Sequence, residues 1–151
     1  MIRRNKKMLL GIGCLVIIIG GGYLLYQFLF QEHQAKAAIE AFYEYEQQGR
    51  LADSWEMFHP YMKEKFDKVD YIQDRVHVFF HHFRVETFNF SVGSVSRNKD
   101  WIFEENAEPL DVFHATVTMT FRGKYGYFEI KQPVFTTKID GDWTILWDYK
   151  K

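Results

Sequence analysis

The sequence predicts an α+β protein in which helices come first, an antiparallel sheet follows, and an apolar segment precedes both. Three observations predict it. Apolar residues recur every three or four positions up to Phe83 and every second position from Phe88 onward. Helical and strand patterns never alternate along the chain, and Met8 to Phe30 carries no charged residue. Helices followed by strands, without alternation, lead to helices packed on one face of a meandering sheet.

The apolar segment reads MLLGIGCLVIIIGGGYLLYQFLF, 23 residues, and a helix of that length crosses about 30 Å of hydrocarbon with some tilt. Arg3, Arg4, Lys6 and Lys7 stand before it. Basic residues on that flank hold it in the cytoplasm. The expected organisation is a cytoplasmic head over 1–7, a transmembrane helix over 8–30 and an extracellular domain over 31–151, in the cell membrane. A cleaved signal peptide shares the basic head and apolar run, but this run is about twice the length of such a core. The nearest small-x-small site, Ala35-Lys36-Ala37, falls inside a helical pattern. Cys14 is the sole cysteine, and Gly11 occupies the third position upstream, where a lipidation signal carries a leucine-type residue. One cysteine leaves the outer domain no disulfide, so it must rely on its core.

Of 19 Lys and Arg against 20 Asp and Glu, the four before residue 31 are all basic. The remainder is therefore acidic, which removes the electrostatic footprint that nucleic-acid binding requires.

Helical spacing over 32–48 places Ala35, Ala38, Ile39, Phe42 and Tyr45 or Glu46 on one face, and Gly49 is the expected C-cap. A second helix starts near Asp53 or Ser54 with Trp55 and Phe58 inward. His59-Pro60 stops it, since proline pushes the preceding residue out of helix, and 61–66 forms a further turn. Val69, Ile72, Val76, Phe79 or Phe80, and Phe83 mark a third helix after Asp70 as cap. Beyond it, Phe88, Phe90 and Val92 alternate with polar residues. Phe113, Ala115, Val117, Met119 and Phe121 do so again, and residues 127–138 form a strand whose Pro133 demands an edge or bulge. Asp140-Gly141 signals a hairpin. On the last strand Trp143, Ile145, Trp147 and Tyr149 point one way, toward the helices.

These elements carry a family likeness. The stretch AIEAFYEYEQQGRLADSWEMFHP, a third helix and a meander ending in DGDWTILWD resemble the nuclear-transport-factor-2-like (cystatin-like) fold, a cone of three helices on a curved sheet. More narrowly, they resemble the N-terminal domain of low-affinity penicillin-binding transpeptidases. That domain follows a single anchor and closes on a D-G-x-W-x-x-x-W-D strand, matched here by Asp140, Gly141, Trp143, Trp147 and Asp148. The likeness spans residues 35–149. It implies a non-catalytic spacer or docking element linked to peptidoglycan synthesis and the beta-lactam response in a Gram-positive envelope, with a penicillin-binding protein or other wall protein as partner. The sequence ends two residues after Tyr149, where that family continues into its enzyme domain.

Reactive chemistry finds little support. Ser96-Arg97-Asn98-Lys99 matches S-x-x-K literally, but the serine is expected in a polar turn and no S-x-N or K-T-G element accompanies it. His77 and His81 lie one turn apart beside His82, yet no third ligand or H-E-x-x-H arrangement completes a metal site. Asp53, His59 and His114 are the nearest acid–base candidates for a cavity enzyme. No enzyme activity, cofactor or metal is expected. Aromatic residues make up 19% of the chain, enough to line a pocket or partner surface as well as a core. Tyr45, Trp55, Phe58, Phe79, Trp143 and Trp147 are the candidates, and a small-molecule receptor or isomerase-like enzyme is the competing reading.

Overall fold

The computed structural model describes residues 16–78, 87–105, 107–123 and 126–148, and of residues 2–15 it describes the helical backbone alone. One helix, α1 (Ile2–Gln47), runs without a break from the apolar segment into the helix expected over 32–48. Gly49, at φ 70°, ends it. Arg50 N–H donates to the Tyr45 carbonyl and Gly49 N–H to the Glu46 carbonyl, the paired bonds of a Schellman stop. Among the described residues no helix is long and apolar enough to cross a membrane. The side chains of residues 8–15, the first part of the apolar run, fall outside those described.

Three short helices follow: α2 (Leu51–Glu56), α3 (Pro60–Lys65) and α4 (Lys68–Val76). The expected single turn after His59-Pro60 is therefore a helix of its own, with Pro60 at its first position, where the missing N–H costs nothing. The cap of α4 is Asp67 rather than Asp70. Its Oδ1 accepts from Val69 N–H at 2.8 Å, so the helix begins earlier than its apolar spacing suggested. Val69 is consequently 59% exposed and Tyr71 becomes the buried residue. Phe79, Phe80 and Phe83 lie outside the described residues.

The sheet contains β1 (Phe88–Val92), β2 (Ser96–Trp101), β3 (Leu110–Gly123), β4 (Gly126–Ile139) and β5 (Asp142–Trp147). Its order is β1-β3-β4-β5, all antiparallel, with β2 beside β1 on the same edge of β3. β1 takes Val117 to Phe121 and β2 takes Leu110 to His114. Between them Gly93 N–H donates to the Thr116 carbonyl at 3.0 Å, and a Cβ on Gly93 would stand 3.2 Å from that oxygen. Ser96 is thus on a strand, not in the expected turn. The strand lacks a period-two signature because both its faces are largely solvated until Trp101.

Pro133 meets the expectation of an edge: β5 covers β4 only from Val134 onward, leaving Gly126 to Pro133 open on that side. Asp140 (φ 52°) and Gly141 (φ 96°) form the hairpin turn, both left-handed as a type I′ turn requires.

Ile39, Phe42 and Tyr43 of α1 are fully buried, as are Val117, Phe121 and Ile145 of the sheet, and together they form the main core. Helices on a single face is only part of the arrangement. Phe135 and Leu146 are cross-strand partners, and alternation turns them away from the face that carries Trp147. Trp101 stacks on Phe135 at 4.2 Å, and Phe103 stacks on Tyr61 of α3 at 5.6 Å. The connection after β2 therefore folds over the outer face and buries a second aromatic layer there.

Candidate functional site

The six candidate aromatics do not form one site. Trp147 is under the helices, with ring centroids 4.9 Å from Phe58, 5.9 Å from Phe42 and 6.2 Å from Tyr71. It closes the core, as the last strand's pattern suggested. Trp55 stands apart, its indole N–H donating to the Phe66 carbonyl at 2.9 Å with Lys63 and Lys68 over its ring. Phe79 lies outside the described residues. Tyr45, Phe58 and Trp143 do come together, on the walls of an open groove of about 620 Å³ between α1, the chain around Met57 and the β4–β5 hairpin. Asp140, Asp142 and Glu56 stand at its rim, and Glu56 is engaged by Lys63 at 3.5 Å and Lys68 at 2.5 Å.

Trp143 is only partly buried, unlike Ile145. It meets Phe113 edge-on at 5.7 Å and lies beneath the Lys138 ammonium at 4.9 Å. A smaller cleft of about 180 Å³ lies beyond it, bordered by Gln31, Arg97, Asp111 and Lys138. Tyr149 is not among the described residues.

A polar cluster that the sequence reading passed over lies behind the groove. The Glu46 carboxylate is buried and accepts from Ser54 Oγ at 2.6 Å, Tyr71 Oη at 2.5 Å and Arg75 Nε at 2.7 Å, and also from the second Arg75 nitrogen. Arg75 in turn covers Trp147 at 5.5 Å. Burial pushes the Tyr71 phenol up and the Glu46 charge pushes it further. Burial would lower Arg75, but Glu46 outweighs it and holds the guanidinium above its ordinary value. The cluster is a fixed ion pair with neutral phenols, a clamp between α1 and α4. The signal was present in the sequence: Glu46 follows Phe42 by four residues, a carboxylate at a core position of the helix.

The acid–base candidates each have a local role. Asp53 pairs with Arg50 at 2.7 Å across the start of α2. His59 Nδ1 accepts from Tyr61 N–H at 3.1 Å and caps α3, and burial holds its pKa below the ordinary value. His114 Nε2 lies 3.3 Å from Ser96 Oγ, and the ring stacks on Phe135 at 5.7 Å. Its Nδ1 is buried with no hydrogen-bond partner among the described residues. Among the described residues no three metal-ligating side chains gather; His77 is exposed, and His81 and His82 lie outside those residues.

No family model and no curated protein matches the chain.

Proposed function

We propose that the chain is a single-pass, membrane-anchored envelope protein whose outer domain docks a partner without catalysing a reaction. In this reading residues 1–7 are cytoplasmic, 8–30 span the membrane and 31–151 lie outside. The domain has the cone-shaped nuclear-transport-factor-2-like fold of the transpeptidase docking module, and the partner is a penicillin-binding protein or another wall-synthesis protein. One observation carries the anchor. Val16, Ile17, Ile18, Ile19, Leu24 and Leu25 are each at least 59% exposed on α1, a continuous apolar surface of the kind that demands cover. Two further facts support the reading. Ala35, in the small-x-small site, is fully buried, so cleavage after Ala37 would strip a core residue from the domain. The DGDWTILWD strand forms a tight hairpin with its second indole packed against the core at Phe58.

The test has two arms. Carbonate-washed membranes should retain the full chain, and a membrane-impermeant amine reagent applied to intact cells should label the lysines of the domain. Crosslinking on those cells should then capture a wall-synthesis enzyme. Release by carbonate would end the anchor reading, and capture of unrelated proteins alone would end the docking one.

The groove favours a second reading. Its volume and its Tyr45, Phe58 and Trp143 walls fall within the range of small-ligand sites, about 300–1,000 Å³. A thermal shift with small apolar ligands, reversed by Trp143→Ala, would move the assignment to a receptor or isomerase-like enzyme.

A further inference from the structure

The groove borders a strand edge that is only partly used. Ile145 N–H donates to the Met57 carbonyl at 2.8 Å, and its own carbonyl accepts from His59 N–H at 3.0 Å. The chain around Phe58 thereby adds to the outer edge of β5 as a short parallel bridge. Both main-chain groups of a strand residue point to the same side, and the side alternates along the strand. Trp143, two residues before Ile145, therefore directs its N–H and C=O toward that same outer edge. The hairpin agrees: Ile139 and Asp142 close the two-residue turn as its hydrogen-bonded pair, so Lys138 and Trp143 form the next, non-hydrogen-bonded pair. Among the described residues the chain joins this edge from Met57 to His59, because α2 ends at Glu56 and holds the preceding residues away. The Trp143 donor and acceptor thus open onto the groove.

The rim carries a matching charge. Asp140 and Asp142 are both exposed, one on each side of Gly141. Across the groove, Lys63 is taken up by Glu56. Lys68 shares that carboxylate, so it is the hairpin end of the rim, with Asp140 and Asp142, that favours a cation.

We propose that the groove takes an extended peptide segment of a partner protein, one that pairs with the Trp143 main chain and directs a Lys or Arg side chain to Asp140 and Asp142. This rests on the docking reading and names its surface and ligand class. Strand addition supplies affinity through the main chain, and selection comes from alternate side chains. Here the Trp143 and Tyr45 rings would flank the segment while its basic side chain reaches the hairpin.

The test uses the full chain in detergent micelles and an array of synthetic ten-residue peptides of alternating valine and threonine, with lysine, glutamate or glutamine placed at each position in turn. Lysine peptides should bind better than their glutamate counterparts. Methylating the main-chain nitrogen of alternate residues should abolish binding. Asp140→Asn with Asp142→Asn, a change the exposed hairpin tolerates, should weaken lysine peptides about five-fold or more and leave glutamine peptides unaffected. Trp143→Pro, which removes the outward N–H, should reduce all binding, and circular dichroism would confirm that the variant folds. A silent array, or lysine binding untouched by the double substitution, overturns the proposal. If the array is silent while crosslinking still captures a wall enzyme, the groove assignment falls and the docking reading survives.

Discussion

Glu46 and Arg75, 29 residues apart, join α1 to α4 through paired hydrogen bonds from the guanidinium to one carboxylate oxygen. Ser54 and Tyr71 satisfy the other oxygen. A buried ion pair stabilises only while both partners are present, because the survivor keeps the cost of its own desolvation.

Glu46→Leu should therefore destabilise the domain by about 3 kcal/mol, the low end for a broken buried pair because Arg75 retains some solvent contact. Glu46→Leu with Arg75→Leu should recover most of that loss. Chemical denaturation of both variants checks the pair, and a double variant as weak as the single one would show that packing, not charge, holds α4.

The two tryptophans of β5 should separate cleanly. Trp147→Ala removes a ring that touches Phe42, Phe58, Phe66 and Tyr71 and should cost about 3–5 kcal/mol. Trp143→Ala should cost much less, since both rings are partly buried but Trp143 meets Phe113 at the groove rather than that cluster. Equal losses of melting temperature would mean that the groove wall is part of the core.

Stability should rise with pH around neutrality because of His59. Its Nδ1 must be unprotonated to accept from Tyr61 N–H, and burial holds its pKa below the ordinary 6.5. The unfolded chain therefore binds a proton first as pH falls. The contribution is complete above 6.5 and is lost below it, through the lower folded pKa. Asp111, held down by Arg97, acts only in a more acidic range. His59→Asn, which keeps a side-chain cap, should flatten the slope of melting temperature between about pH 5 and 7.

Gly141→Ala should cost about 1–2 kcal/mol through backbone strain alone, because φ is 96° and a Cβ there would meet nothing within 4 Å. Asp140→Asn should be close to neutral, as asparagine suits the same left-handed position. A melting series on the two variants separates strain from packing.

How much of this was legible in the sequence follows from where each signal resides. The long strand, the hairpin and the Gly49 stop were readable because their causes are local: alternation, two left-handed residues, and a glycine after a helix. β2 was not, because an exposed edge strand has no apolar face to alternate. The start of α4 was misplaced because Asp67 and Asp70 are equally good caps, and only the burial of Tyr71 selects between them. The groove was half legible. Its aromatics could be named, but whether each ring points into solvent or core depends on contacts between distant elements, such as Phe58 against Trp147 and Phe113 against Trp143. The outer aromatic layer escaped for the same reason.

The absence of any hinge between the apolar stretch of α1 and the residues that hold the sheet has a mechanical consequence. Phe30 and Ala35 are five positions apart on one helix, about 7.5 Å of axial rise. Ala35, Ile39, Phe42 and Tyr43 are locked into the domain. A continuous helix is a stiffer joint than a loop, so a tilt imposed on its apolar half would be passed toward the residues it buries against the sheet. A load on the hairpin would return down the same rod as torque.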